Sequence, residues 1–117
     1  MKYHIIDSKK ITELLFDDEQ YVIEFCEAGL TSFCEFIDNF STHLLDRNME
    51  ELKKAGHKIK PGAKMMGADV VVEEYERAKK LLREEAAKEK LSQSVEKMKD
   101  ICSTIQDELT HLAQNPN

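Results

Sequence analysis

Seven apolar residues near the C-terminus constrain this chain more than anything else in it. Leu91, Val95, Met98, Cys102, Ile105, Leu109 and Leu112 recur in alternating steps of four and three residues. That spacing lays one apolar seam along a helix, at the period of helices packed with a left-handed supercoil. A seam of this kind is buried only against partner helices, so the remaining sequence has to supply them. The helix is expected to end before Asn115-Pro116-Asn117. With 117 residues the chain is one domain, residues 1–117, large enough for a single core. A hydrophobic content of 41 %, a charged content of 34 % and only four glycines and two prolines read as soluble and helical.

The partner helices follow in order. MKYHIID is an extended lead with His4 on the surface, and SKKITELLF is a short helix capped by Asp7 or Ser8. Its Ile11, Leu14 and Leu15 can cover one end of a bundle. Asp17-Asp18-Glu19-Gln20 opens the first long helix, with Asp17 and Gln20 at capping-box spacing. From Tyr21 to about Leu45 the apolar positions are Val22, Phe25, Cys26, Leu30, Phe33, Phe36, Ile37, Phe40 and Leu44. So dense a set fits either a helix buried on two sides or one that leaves aromatic surface exposed for docking. Asp46-Arg47-Asn48 is a turn short enough to require antiparallel neighbours. Gly67 is placed as a C′ glycine, and Asp69 can cap a third long helix. Val71, Tyr75, Ala78 and Leu82 are its inner stripe, with Glu73, Glu74, Lys79, Lys80 and Arg83 facing water. Residues 84–90, EEAAKEK, hold no glycine or proline, so the turn required there is not signalled. The fold expected is all-α: an up-down-up-down antiparallel four-helix bundle with a short N-terminal helix.

Several functions are excluded or disfavoured at this level. No run of eighteen apolar residues and no signal-peptide pattern occurs, so no membrane span is expected. A net charge of −6 argues against a general nucleic-acid binder. Cys26, Cys34 and Cys102 are odd in number and lack C-x-x-C spacing, as expected for reduced core or near-core thiols in a cytoplasmic protein. Glu108-x-x-His111 has the spacing of half a di-metal site. No second Glu-x-x-His exists, so the pair reads as a frayed surface helix end. There is no Gly-rich phosphate loop and no G-x-S-x-G.

The stretch Asn48 to Ala68 carries the functional signal. Asn48 and Glu51 form a capping box, and Met49, Leu52, Gly56, Ile59, Ala63 and Met66 trace one buried stripe. His57 lies about 100° round the helix from Gly56 and so off the stripe. Its neighbours at minus four, plus three and plus seven are Lys53, Lys60 and Lys64. The imidazole therefore stands in a column of lysines, a field that attracts an anion placed on the ring. Most surface histidines of this kind are simply solvated; the residues around this one give more. Pro61 removes the N–H that the His57 carbonyl would accept, so a kink, or a helix that ends and resumes, is expected near 57–61. Gly62 leaves bare surface beside the ring.

His57-Lys58-Ile59-Lys60-Pro61-Gly62-Ala63-Lys64-Met65-Met66-Gly67-Ala68 resembles the signature of histidine-containing phosphotransfer (HPt) domains, H-x-[LI]-K-G-[SA]-[SA]-x-x-[LFM]-G-A. It departs at 61, where proline replaces the usual glycine and glycine follows at 62. The resemblance implies a phosphocarrier without autokinase activity or an ATP-binding domain. His57 would accept a phosphoryl group from a receiver-domain aspartate and pass it to another receiver. Lys60 would neutralise the phosphoryl oxygens, while Lys53, Gly62 and Lys64 would serve docking. It further implies response-regulator receivers and a hybrid sensor kinase as partners, a monomer, and no cofactor of its own, magnesium belonging to the receiver. The competing reading is a helical bundle that only binds a signalling partner, which Pro61 and exposed aromatics would suit. A metal-binding bundle lacks the inward carboxylates it would need.

Overall fold

The computed structural model describes residues 1–116, with Asn117 outside the described residues. It holds five helices and, among those residues, no strand: α1 (Ser8–Leu14), α2 (Glu19–Leu45), α3 (Met49–Met65), α4 (Asp69–Arg83) and α5 (Lys88–Gln114). No helix is long and apolar enough to cross a membrane. The chain is elongated, 46 × 24 × 18 Å. α2 packs on α3 and on α5, and α4 packs on the same two helices. Every seam residue of α5 is buried, from Leu91 to Leu112. Val22, Cys26, Phe33, Phe36, Phe40 and Leu44 of α2 meet that seam and the buried side of α3 in one core. Three of the four phenylalanines on α2 are therefore core; Phe25 is half-buried. The exposed aromatics are Phe16, 83 % exposed, and Tyr21, at the corner between α1 and α2 rather than beside His57.

Four helix ends close in the same way. Ala68 N–H donates to the Ala63 carbonyl and Gly67 N–H to that of Lys64, with Gly67 at φ +74, a Schellman end. The same paired bonds close α1 at Phe16 (φ 60), α2 at Arg47 (φ 58) and α4 at Glu85 (φ 52). Only one of these left-handed positions carries the glycine that fits it without steric cost. The turn that the sequence does not signal is thus Glu84–Ala87, with Glu85 in the glycine's place. Arg47 Nη2 donates to the Ala86 carbonyl at 2.7 Å and ties the α2–α3 turn to the α4–α5 turn.

Several expectations need correction. The cap of α2 is Asp18, whose carboxylate accepts from Tyr21 N–H at 3.1 Å, because Asp17 is held in the left-handed region. Asp69 is the first helical residue of α4, and Ala68 stands at its cap without a side-chain bond. Asn48 does cap α3, accepting from Glu51 N–H at 3.2 Å, but its own N–H goes to the His43 carbonyl and Glu51 turns to Lys54. The capping box is therefore half made. Cys34 is exposed; burial pushes the Cys26 and Cys102 thiols up to about 11 and about 12, so those two stay protonated and unreactive.

Two glutamates are buried where water-facing residues are expected. Glu108, 1 % exposed, accepts from the backbone N–H groups of His4 (2.7 Å), Ile5 (3.1 Å) and Ile6 (2.9 Å). It pins the N-terminal lead to α5, while His111 meets the Tyr3 ring edge-on at 5.9 Å. Asp7 N–H then reaches the Met66 carbonyl (2.8 Å) and Lys10 the Lys64 carbonyl (2.9 Å), so the lead also fastens the end of α3. The pair 108/111 is a clamp, not a frayed end. Glu74 is likewise buried, between Arg77, Lys97 and a 2.6 Å bond from Ser94. Burial alone would raise its carboxyl, but the bonds from Arg77 and Ser94 outweigh it and hold it below the usual carboxylate range.

Candidate functional site

α3 is amphipathic from its cap onward. Leu52, Ala55, Gly56, Ile59 and Ala63 are buried, and Met66 continues the stripe past the helix end. Met49, placed on the stripe by its spacing, is half-buried. The opposite face presents His57 to solvent, with exposed Lys53 and Lys64 on the same side. The helix runs without interruption through Pro61, so the expectation of a helix that ends and resumes there is not met. Packing carries the missing bond: Ile59 and Ala63 on either side of Pro61 are both buried.

What sits beneath the histidine helix is a tyrosine. A β-carbon on Gly56 would lie 2.0–2.5 Å from three atoms of the Tyr75 ring, so the absent side chain at 56 is the seat of that ring. The Tyr75 hydroxyl donates toward the Lys53 carbonyl at 3.4 Å. Tyr75 thus touches α3 at the residue before His57 and again one turn earlier. Its hydroxyl is raised above the ordinary tyrosine range by burial first and by the nearby Glu76 charge second, so it stays protonated.

Two lysines flanking His57 are paired across helices. Lys58 reaches Glu35 of α2 at 3.3 Å, and Lys60 reaches Glu76 of α4 at 3.3 Å. The Lys60 side chain is 31 % exposed and stands 5.7 Å from the centre of the Tyr75 ring. Lys79 closes the other contact to Glu76 at 3.1 Å and lies 4.7 Å over the same ring. At 13 % side-chain exposure it is tucked in, contrary to its expected place in water. Hydrogen bonding from Lys79, and after it from Lys60, holds the Glu76 carboxyl below its usual range. Lys53 and Lys64 pair with no carboxylate among the described residues.

Gly62 faces open space: a β-carbon there would meet nothing within 4 Å. It borders an apolar groove between α2 and α3 whose walls include Phe25, Phe33, Ile59 and Met66. Of the residues singled out by sequence, His57, Lys53 and Lys64 share the outward face, Lys60 leans from it onto α4, and Gly62 opens toward α2. Tyr75 was legible as an inward residue of its own helix, but its contact with α3 and those of Glu76 and Glu35 were not, because each belongs to another helix and meets α3 only through packing register. The close approach of Tyr75 had one available signal, a glycine on the buried stripe. No protein-family model matches the chain, and neither curated proteins nor solved structures gave a match.

Proposed function

We propose that this protein is a histidine phosphotransfer protein and that His57 is its phospho-acceptor. The five helices read best as an up-down-up-down antiparallel four-helix bundle, α2 to α5, with α1 across one end. The short connections and the neighbour pattern of the long helices support that arrangement. The observation that carries the functional reading is the exposed side of α3: an imidazole with lysines on the same outward face, and open backbone at Gly62 on the flank toward α2. In the reaction a lone pair on one ring nitrogen, Nε2 in the family that the motif resembles, attacks the phosphorus of a receiver's phospho-aspartate. The P–O bond to the aspartate breaks and the aspartate departs as a carboxylate. A second receiver later reverses the step. Chemistry of this kind depends on positioning and charge stabilisation. Lys60 would supply the charge, Lys53 and Lys64 the field and docking contacts, and Gly62 the clearance. Magnesium would sit on the receiver, and the protein would work as a cytoplasmic monomer between a hybrid sensor kinase and a response regulator.

One observation favours the second reading, a bundle that binds a signalling partner without accepting phosphate: Lys60 is already engaged by Glu76. Incubation with a phosphorylated receiver separates the two. Phosphotransfer predicts label on the wild type and none on His57→Gln, with the helical content and melting temperature of the two proteins alike. Lys60→Ala should slow labelling more than it weakens docking. Binding without labelling would establish the adaptor reading instead.

A further inference from the structure

The contact between Lys60 and Glu76 belongs to a closed group of four side chains one turn from His57. Glu76 divides its carboxylate between two ammonium groups, Oε1 on Lys60 and Oε2 on Lys79. Both ammoniums lie near the Tyr75 ring, a cation–π arrangement that gives each a second attachment. The ring itself is fixed in the seat at Gly56 and by its hydroxyl bond to the Lys53 carbonyl. At neutral pH the carboxylate is ionised and the group is complete. As it stands, Lys60 is held toward α4.

We propose that Glu76 is a latch on Lys60: it keeps the ammonium on α4 at rest and releases it to a strongly anionic group arriving at His57. The biological meaning rests on the phosphotransfer reading above, although its test does not. Lys79 stays on Glu76 when Lys60 leaves, so the carboxylate keeps a partner and the exchange costs little. A dianionic phosphoryl group can compete with one carboxylate for a half-buried lysine; an uncharged electrophile cannot. The latch therefore restrains transfer from phosphoryl donors, which draw on Lys60, and leaves neutral acylating groups, which do not, unaffected. Glu76 is a positioning residue, acting through Lys60 alone.

The test uses two small reagents and needs no receiver. Phosphoramidate transfers its phosphoryl group to an imidazole nitrogen: the neutral ring's lone pair forms the new P–N bond, the old one breaks, ammonia departs with its electron pair from the reagent's already protonated nitrogen, and the ring keeps its one N–H on the other nitrogen. Diethyl pyrocarbonate acylates the same ring and is uncharged. Glu76→Gln removes the charge and keeps an acceptor oxygen for Lys79. Modification is mapped to His57 by peptide mass. Phosphoramidate should label Glu76→Gln about fivefold faster than wild type, the equivalent of about 1 kcal/mol of exposed ion pair. The gain should shrink as ionic strength rises and the pair is screened. Diethyl pyrocarbonate should react equally with both proteins. In a Lys60→Ala background Glu76→Gln should give no gain. The latch is overturned by an equal or slower rate in Glu76→Gln, by a gain that persists without Lys60, or by the same gain with the neutral reagent. It is also overturned if phosphoramidate labels His57 in neither protein. If a phosphorylated receiver fails to label His57 while the reagent comparisons hold, the relay reading falls and the latch stands.

Discussion

Gly56→Ala should damage this protein although alanine is the better helix former. In an exposed helix the change would stabilise by about 1 kcal/mol. Here the new methyl would meet Tyr75 Cζ at 2.0 Å and two further ring carbons at 2.3 and 2.5 Å. Ordinary carbon–carbon contact begins near 3.5 Å, so the ring must withdraw by roughly 1–1.5 Å. Tyr75 is 2 % exposed and held between Lys60 and Lys79, so the shift spreads into its neighbours. Overpacking of this kind costs about 3 kcal/mol at the upper end of its usual range, leaving a net loss of about 2 kcal/mol. Urea unfolding followed by circular dichroism would show it as a lower midpoint with an unchanged slope. The sign should reverse when the ring is removed: on a Tyr75→Ala background, Gly56→Ala should stabilise by about 1 kcal/mol. A Gly56→Ala protein as stable as wild type, or equally damaged with and without the ring, would refute the seat.

Gly62→Ala meets open space and should stabilise the fold by up to about 1 kcal/mol. It should also slow labelling by a receiver while leaving phosphoramidate labelling unchanged, since only a protein partner needs the clearance. Glu108→Ala leaves three backbone N–H groups without their acceptor, and one of them, that of Ile6, is buried. A loss of about 2 kcal/mol and faster amide exchange at Ile5 and Ile6 are expected. Because the folded Glu74 carboxyl lies below its unfolded value, its contribution is complete above the ordinary carboxylate pKa and is lost as pH falls through the folded one. Stability measured from pH 6 down to pH 2 should therefore drop less steeply in Glu74→Gln than in wild type.

How much of this was legible in the sequence differs by kind of interaction. The α5 seam was, because helical periodicity alone decides which side of a long helix is buried. His57 off the stripe and Gly67 as a C′ residue follow from the same local logic. The α2–α3 turn at Asp46-Arg47-Asn48 was placed, but the left-handed residue at each of the three Schellman ends without glycine was not legible, since Phe16, Arg47 and Glu85 are not residues that favour that conformation and reach it with the paired backbone bonds that close each helix. Nor were Glu74 and Glu108, which look like surface charges until the N–H groups and cations that satisfy them arrive from elsewhere in the chain. Lys60 shows the limit most clearly. Its own helix offers no carboxylate on that face, and only the register of α4 brings Glu76 to it.

The central claim is tested most directly by locating the phosphoryl group. Wild-type protein incubated with a radiolabelled phospho-receiver should acquire acid-labile, base-stable label on the peptide that contains His57, and a second, unphosphorylated receiver should remove it. Label on His4, His43 or His111, or no label while the receiver binds, would contradict the account.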